Sequence, residues 1–246
     1  MPLFGNDDTM EAHGAGTYGF SGTRIDRLTA TEYTLVAIAV DRSGSVDGFE
    51  GALNDCLGEI LKACRRSPRA DNLMLRTLTF DDQIEEAHGF KPLGEIPLDA
   101  YRGAVAPRGA TALYDATVNA LDSVLAYGKT LIESDFAANG IVFVLTDGLD
   151  NRSMATPATV KHKLDEARRG EKLESVLTVL VGVNVLDPEA QRALETFAKE
   201  AGFTQYVDVG AATDKTLAKL AQFVSRSVSA QSQALGSSGP SKPLAF

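Results

Sequence analysis

The sequence has no apolar stretch approaching the roughly 20 residues that a membrane-crossing helix requires, so no spanning segment is expected. It is also short of positive charge, with 24 Lys and Arg against 33 Asp and Glu, a formal net charge of −9. Binding a phosphate backbone needs clustered cations that release counterions. Nucleic acid and anionic lipid surfaces are therefore excluded as natural partners. Cysteine numbers two, Cys56 and Cys64, within one helical pattern. Two turns of helix would hold their Cα atoms roughly 12 Å apart, too far for a disulfide, and both are expected as small core residues. Met1–Asp8 lacks a basic region followed by an apolar run, so no signal peptide is expected. Together these absences point to the cytoplasm. Histidine is scarce and scattered, at His13, His88 and His162. Each is expected at the surface, and no Gly-x-Ser-x-Gly hydrolase elbow accompanies them.

What is present suits one large α/β domain with extensions, since the chain has 246 residues of which 44% are hydrophobic. Tyr33–Val40, Ile141–Leu145 and Val176–Val181 are nearly continuous apolar runs, as expected of parallel strands covered on both faces. Residues 72–80, 84–92 and 204–209 add three more strands, the second a weak edge strand. Helical stripes lie between them: Phe49, Leu53, Leu57, Ile60, Leu61 and Cys64 form one. Another contains Leu113, Ala116, Ala120, Leu121, Val124 and Leu125. Thr156-Pro157 opens a helix that stops near Gly170, and Asp187-Pro188 opens one that stops at Gly202. A last helix spans 213–230. The expected fold is a doubly wound, mostly parallel six-stranded sheet with helices on both faces. Residues 1–32 read as an irregular Gly-rich arm with room for a short helix or strand at its end, 33–229 as the domain, and 230–246 as a tail of linker composition.

Ligand sites in such sheets lie outside the carboxyl ends of the strands, where strand order reverses. Three segments meet that description: Asp41-Arg42-Ser43-Gly44-Ser45, Arg108-Gly109-Ala110-Thr111 and Thr146-Asp147-Gly148. They offer two carboxylates and three hydroxyls without Cys or His. A hard, oxygen-only set of charge near −2 suits Mg²⁺, with Mn²⁺ or Ca²⁺ as alternatives, and is unlike a typical Zn²⁺ site. Asp47-Gly48-Phe49-Glu50 follows as a capping box for the first helix. Asp150 and Asn151 read as a solvated turn.

The Asp41-x-Ser43-x-Ser45 string, Thr111 within Gly-Ala-Thr-Ala-Leu, and Thr-Asp147-Gly resemble the von Willebrand factor A family in order and spacing. They match its metal-ion-dependent adhesion site, and the likeness covers roughly residues 33–229; Arg42 is less common inside that motif than small or apolar residues, which implies a role for it in partner choice. The resemblance implies that Ser43, Ser45 and Thr111 offer hydroxyl oxygens to the ion, and that Asp41 and Asp147 bind it directly or through water. It implies an open coordination position for an Asp or Glu carboxylate of a protein partner, and coupling between the site and the last helix. It further implies partners such as an AAA+ ATPase, or a kinase and phosphatase pair in a stress response. The expected function is a non-enzymatic, cation-dependent adaptor or regulatory subunit. Two other readings compete: a structural subunit locked by its terminal arms, and a Mg²⁺-dependent phosphotransferase. The latter would want a second Asp where Ser43 stands. Gly14-Ala-Gly16-Thr-Tyr-Gly19 fits a phosphate-loop pattern, but the strand after it carries Ala39 where a kinase would have lysine. A flexible arm is the better reading.

Overall fold

A computed structural model describes residues 9–14, 19–169, 173–237 and 240–246. The Gly14–Gly19 motif falls largely on residues 15–18, and the stop at Gly170 on residues 170–172, both outside the described residues. The apolar runs form the strands expected of them: β3 (Glu32–Asp41), β6 (Ala137–Thr146) and β7 (Val176–Gly182). They lie beside β4 (Leu73–Phe80), β5 (Ile84–Pro92) and β8 (Gln205–Asp208). Two further strands, β1 (Met10–His13) and β2 (Phe20–Thr23), come from the segment expected to be an irregular arm.

The sheet therefore has eight strands, not six, in the order β1-β2-β5-β4-β3-β6-β7-β8. It is mostly parallel, as expected, with β1/β2 and β4/β5 as the antiparallel pairs. The cause at β5 is chain length. Three residues, Asp81-Asp82-Gln83, link it to β4, enough for a hairpin but far short of the dozen or more residues of a parallel crossover.

Among the described residues five α-helices cover the sheet. Helix α1 (Glu50–Arg65) and α5 (Asp214–Gln233) pack on one face. Helices α2 (Leu113–Glu133), α3 (Pro157–Arg168) and α4 (Pro188–Ala201) pack on the other. The signals at α4 act as read: the Asp187 carboxylate accepts from the N–H groups of Glu189 and Ala190, and Gly202 closes the helix at φ +90°. The capping box at α1 is only half formed. Glu50 accepts from the Gly48 N–H at 2.8 Å, but Asp47 provides no cap and α1 begins after Phe49.

Both termini fold back on the domain. Phe20 is fully buried, the Tyr127 hydroxyl donates to Thr23 O at 2.5 Å, and Glu86 accepts from both the N–H and the hydroxyl of Ser21. At the other end Gln205 donates to Leu244 O, Ser241 N donates to the Gln231 side chain, and Phe246 meets Phe223 edge-on. His162 is exposed as expected, but the other two histidines depart from expectation. His13 stacks on Phe20, and His88 contacts Gly89 O and the Tyr101 hydroxyl, where burial holds its pKa down to about 4. Cys56 and Cys64 are buried free thiols in the core.

Gly89 shows how tightly β2 approaches β5: a Cβ there would lie 2.1 Å from Ser21 O. Gly89→Ala should cost about 1–3 kcal/mol, read as a lower urea midpoint. Gly58→Ala, on α1 with nothing within 4 Å of its Cβ position, should instead stabilise by about 0.5–1 kcal/mol.

Candidate metal centre

The carboxyl ends of β3 and β6 lie side by side, and the chain leaves β3 for β4 on one side before returning to β6 on the other. That reversal opens the crevice into which the three loops fall. Asp41, the last residue of β3, is 1% exposed. Its Oδ1 accepts from Ser43 N at 2.8 Å and its Oδ2 from the Thr146 hydroxyl at 2.7 Å. Beyond it a chain of side-chain oxygens runs outward. Ser43 Oγ and Ser45 Oγ are 3.1 Å apart, and Ser45 Oγ donates to Asp147 Oδ1 at 3.0 Å. Ser43 is buried, Asp147 half-buried and Ser45 exposed, so the chain reaches from the core to the surface.

Thr111 is 4% exposed and is placed through its main chain. Asn151 Oδ1 accepts from Thr111 N at 2.8 Å, and Asn151 N donates to Thr111 O at 3.0 Å. Two more backbone bonds, Gly44 N to Gly109 O and Arg108 N to Arg42 O, join this loop to the first. Thus Ser43, Ser45 and Asp147 are linked through side-chain oxygens, and the Asp41 carboxylate joins them through the Ser43 main-chain N–H. Thr111 is clasped beside them by the loop that carries Asp147.

Asp150 and Asn151 are consequently not a solvated turn. Asp150 Oδ2 accepts from Tyr114 N in the first turn of α2 and from the Ser153 hydroxyl, while Asn151 holds Thr111. Arg42 also differs from its reading. It is 4% exposed and points away from the crevice, its Nε 3.1 Å from Asp81 and its Nη1 2.6 Å from Glu85. Side chains alternate along an extended strand, so the residue between Asp41 and Ser43 faces the opposite way. Thr146 was legible only as part of the Thr-Asp-Gly string. Its hydroxyl binds the Asp41 carboxylate and receives the Gly148 N–H.

Burial of Asp41 pushes its pKa up to about 6. The bonds from Thr146 and Ser43 oppose that rise, and the neighbouring Asp147 charge adds to it. Asp147 is raised too, first by burial. Two carboxylates drawn together away from water form a site whose ionised state needs a positive charge. The donors are the hard oxygens that divalent cations of the Mg²⁺ and Ca²⁺ type prefer. Among the described residues no group of three or more His, Cys, Asp or Glu side chains gathers, so hydroxyls must supply part of any ligand set. The oxygen set fits a hard divalent ion. Ser43, Ser45 and Asp147 are placed to reach it, while both Asp41 oxygens are already engaged.

No family model and no curated protein matches the chain. Solved structures do. A D319A mutant of the PilB minor pilin from Streptococcus sanguinis superposes with a TM-score of 0.59 at 12% identity, over 89% of this chain and 66% of that one. The open pilus adhesin SpaC from Lactobacillus rhamnosus GG matches with a TM-score of 0.59 at 12% identity, over 92% and 35%. Proximal thread matrix protein 1 of the mussel byssus, with a zinc-occupied MIDAS motif, matches with a TM-score of 0.57 at 18% identity, over 82% and 47%. This chain spans at most two thirds of each. At such identities the likeness is one of architecture: the chain has a von Willebrand factor A-like fold.

The Asp41 shift has a signed consequence. A carboxyl whose folded pKa exceeds its unfolded value of roughly 3.9 favours the fold below that value, and the contribution is lost as pH rises through about 6. His88, held low, acts in the opposite direction over part of this window. The informative quantity is therefore the difference from Asp41→Asn. Without metal, the wild type should lose about 2–3 kcal/mol relative to this variant between pH 4 and pH 7 in urea titrations.

Proposed function

We propose that the chain is a divalent-cation-dependent protein-binding module, an adaptor or regulatory subunit that captures an Asp or Glu carboxylate of a protein partner. The observation that carries this reading is the oxygen chain Ser43–Ser45–Asp147, anchored to the buried Asp41 carboxylate through the Ser43 N–H and closed on one side by the clasped Thr111 loop. Mg²⁺ is the ion we favour, with Mn²⁺ or Ca²⁺ as substitutes. The zinc in the mussel protein's motif makes metal identity a matter for titration. Two protein carboxylates barely neutralise a divalent ion, so a third from outside remains attractive to it.

Three large apolar side chains are exposed on the loops that leave β6 and β7: Leu149 (43%), Met154 (87%) and Leu186 (69%). They lie at the same end of the sheet as the oxygen chain, and such surface suits contact with protein. A phosphotransferase would use the Asp at the end of β3 as its nucleophile, but both Asp41 oxygens accept hydrogen bonds from within the fold. The alternative of an assembly subunit held by its arms is disfavoured because the described parts of both termini pack on their own domain. No helix among the described residues is long and apolar enough to cross a membrane. With two unpaired thiols in the core, work in the cytoplasm is the address we propose.

The test is isothermal titration with Mg²⁺ and Mn²⁺ at pH 7.5, followed by partner capture with and without EDTA. Wild type should bind one ion, and Asp147→Ala should lower the affinity at least tenfold while keeping the circular dichroism of the fold. Capture should be lost with EDTA and with the variant. Ion binding and capture that are indifferent to Asp147 would overturn the reading.

A further inference from the structure

The sequence leaves an oddity: arginines stand inside two of the three motif segments that would hold a cation, Arg42 between Asp41 and Ser43 and Arg108 three residues before Thr111. A positive side chain beside a divalent ion should weaken its binding. The structure turns both guanidinium groups onto one pair of acids in the β4–β5 hairpin. Asp81, fully buried, accepts on Oδ2 from Arg42 Nε at 3.1 Å and from Arg108 Nε at 2.7 Å. Glu85 accepts from Arg42 Nη1 at 2.6 Å on one oxygen and from Arg108 Nη2 on the other. Two cations and two anions thus close a neutral ring. The two arginines come from different metal-site loops, and both acids from a third segment.

The main chain repeats the arrangement. Ala112 N donates to Asp81 O at 2.8 Å, and Arg42 N donates to Phe80 O at 2.8 Å. Gly109, at φ +67°, lies so close that a Cβ there would fall 2.4 Å from an Asp82 carboxylate oxygen. The Arg108–Thr111 loop has no regular secondary structure. Its position against Ser43 and Ser45 is set by these bonds and by the Asn151 clasp.

We infer that Arg42, Asp81, Glu85 and Arg108 are positioning residues for the candidate metal centre, holding the Thr111 loop at the distance from the Asp41–Ser45 loop that ion binding requires. The inference rests on the metal-binding reading proposed above and adds a control element to it. Forked guanidinium–carboxylate pairs fix orientation as well as distance, and replacing arginine by lysine forfeits the fork. The ring also draws the arginine charges away from the ion and neutralises them locally.

Charge and position predict opposite signs for one substitution, which makes the proposal decidable. Removing the positive charge of Arg108 should, by Coulomb attraction alone, tighten binding of a cation nearby. If Arg108 acts by positioning, Arg108→Ala should loosen it. The experiment is Mn²⁺ titration by electron paramagnetic resonance on the full chain, with wild type, Arg108→Ala, Arg108→Lys and Glu133→Gln. The last removes an exposed pair with Lys129 on α2 and should leave affinity unchanged. Arg108 is half exposed, so its variants should fold, and thermal melts without metal check this.

Mn²⁺ affinity should fall about fivefold or more in Arg108→Ala, and Arg108→Lys should fail to restore it. Unchanged or tighter binding in Arg108→Ala would overturn the positioning role while leaving the metal centre standing. Absence of Mn²⁺ binding in the wild type would overturn the metal centre, and this inference with it.

Discussion

A carboxylate buried at the end of the central strand is the constraint around which the site end of the molecule is arranged. An ionised group removed from water must find hydrogen bonds or a counter-charge, or give up its charge. Asp41 receives one bond from the Ser43 N–H in its own loop and one from the Thr146 hydroxyl on the adjacent strand. Those two bonds pin the loops after β3 and β6 to each other. They still leave the carboxylate protonated more readily than an ordinary aspartate, its pKa raised to about 6. A cation beside the two carboxylates would favour their ionised forms, so cation binding should release protons as pH falls toward that value.

The surroundings divide the remaining tasks. The oxygen chain through Ser43, Ser45 and Asp147 would provide donors to the proposed ion. Asn151 holds the Thr111 backbone, Asp150 caps the start of α2, and the Arg42–Asp81–Arg108–Glu85 ring ties two of the loops to the β4–β5 hairpin. A loop with no regular structure of its own is thereby fixed from three directions. Preorganisation of this kind lowers the ordering cost of binding an ion or a partner. The apolar side chains at Leu149, Met154 and Leu186 then border the same end of the sheet.

Much of this is legible in the residues. Strands buried on both faces are written as unbroken apolar runs, so β3, β6 and β7 are found within a few residues. The Asp-Pro and Thr-Pro signals mark α4 and α3 because capping is local chemistry. Asp41, Ser43, Ser45 and Asp147 stand out by residue type and by their place after strands, and Thr111 by its place at the start of a helix. What escapes depends on distant pairing. Strands β1 and β2 have four residues each, too few for a period, and they exist because Phe20 packs against Phe90 and Tyr127. The tail has linker composition, yet Leu244 and Phe246 find apolar surface and Gln231 and Gln205 supply polar partners. Arg42 reads as a surface residue because its acid partners lie 39 and 43 positions away, in a hairpin whose register the sequence does not display.

The central claim is that the loops after β3 and β6, with Thr111, bind a single divalent ion. Crystals grown or soaked with Mn²⁺ and measured for anomalous scattering test it most directly. One peak is predicted, within coordination distance of Ser43, Ser45 and Asp147 and adjacent to Thr111, with Asp41 behind it. A map with no peak there, or with the ion bound elsewhere on the chain, would contradict the account.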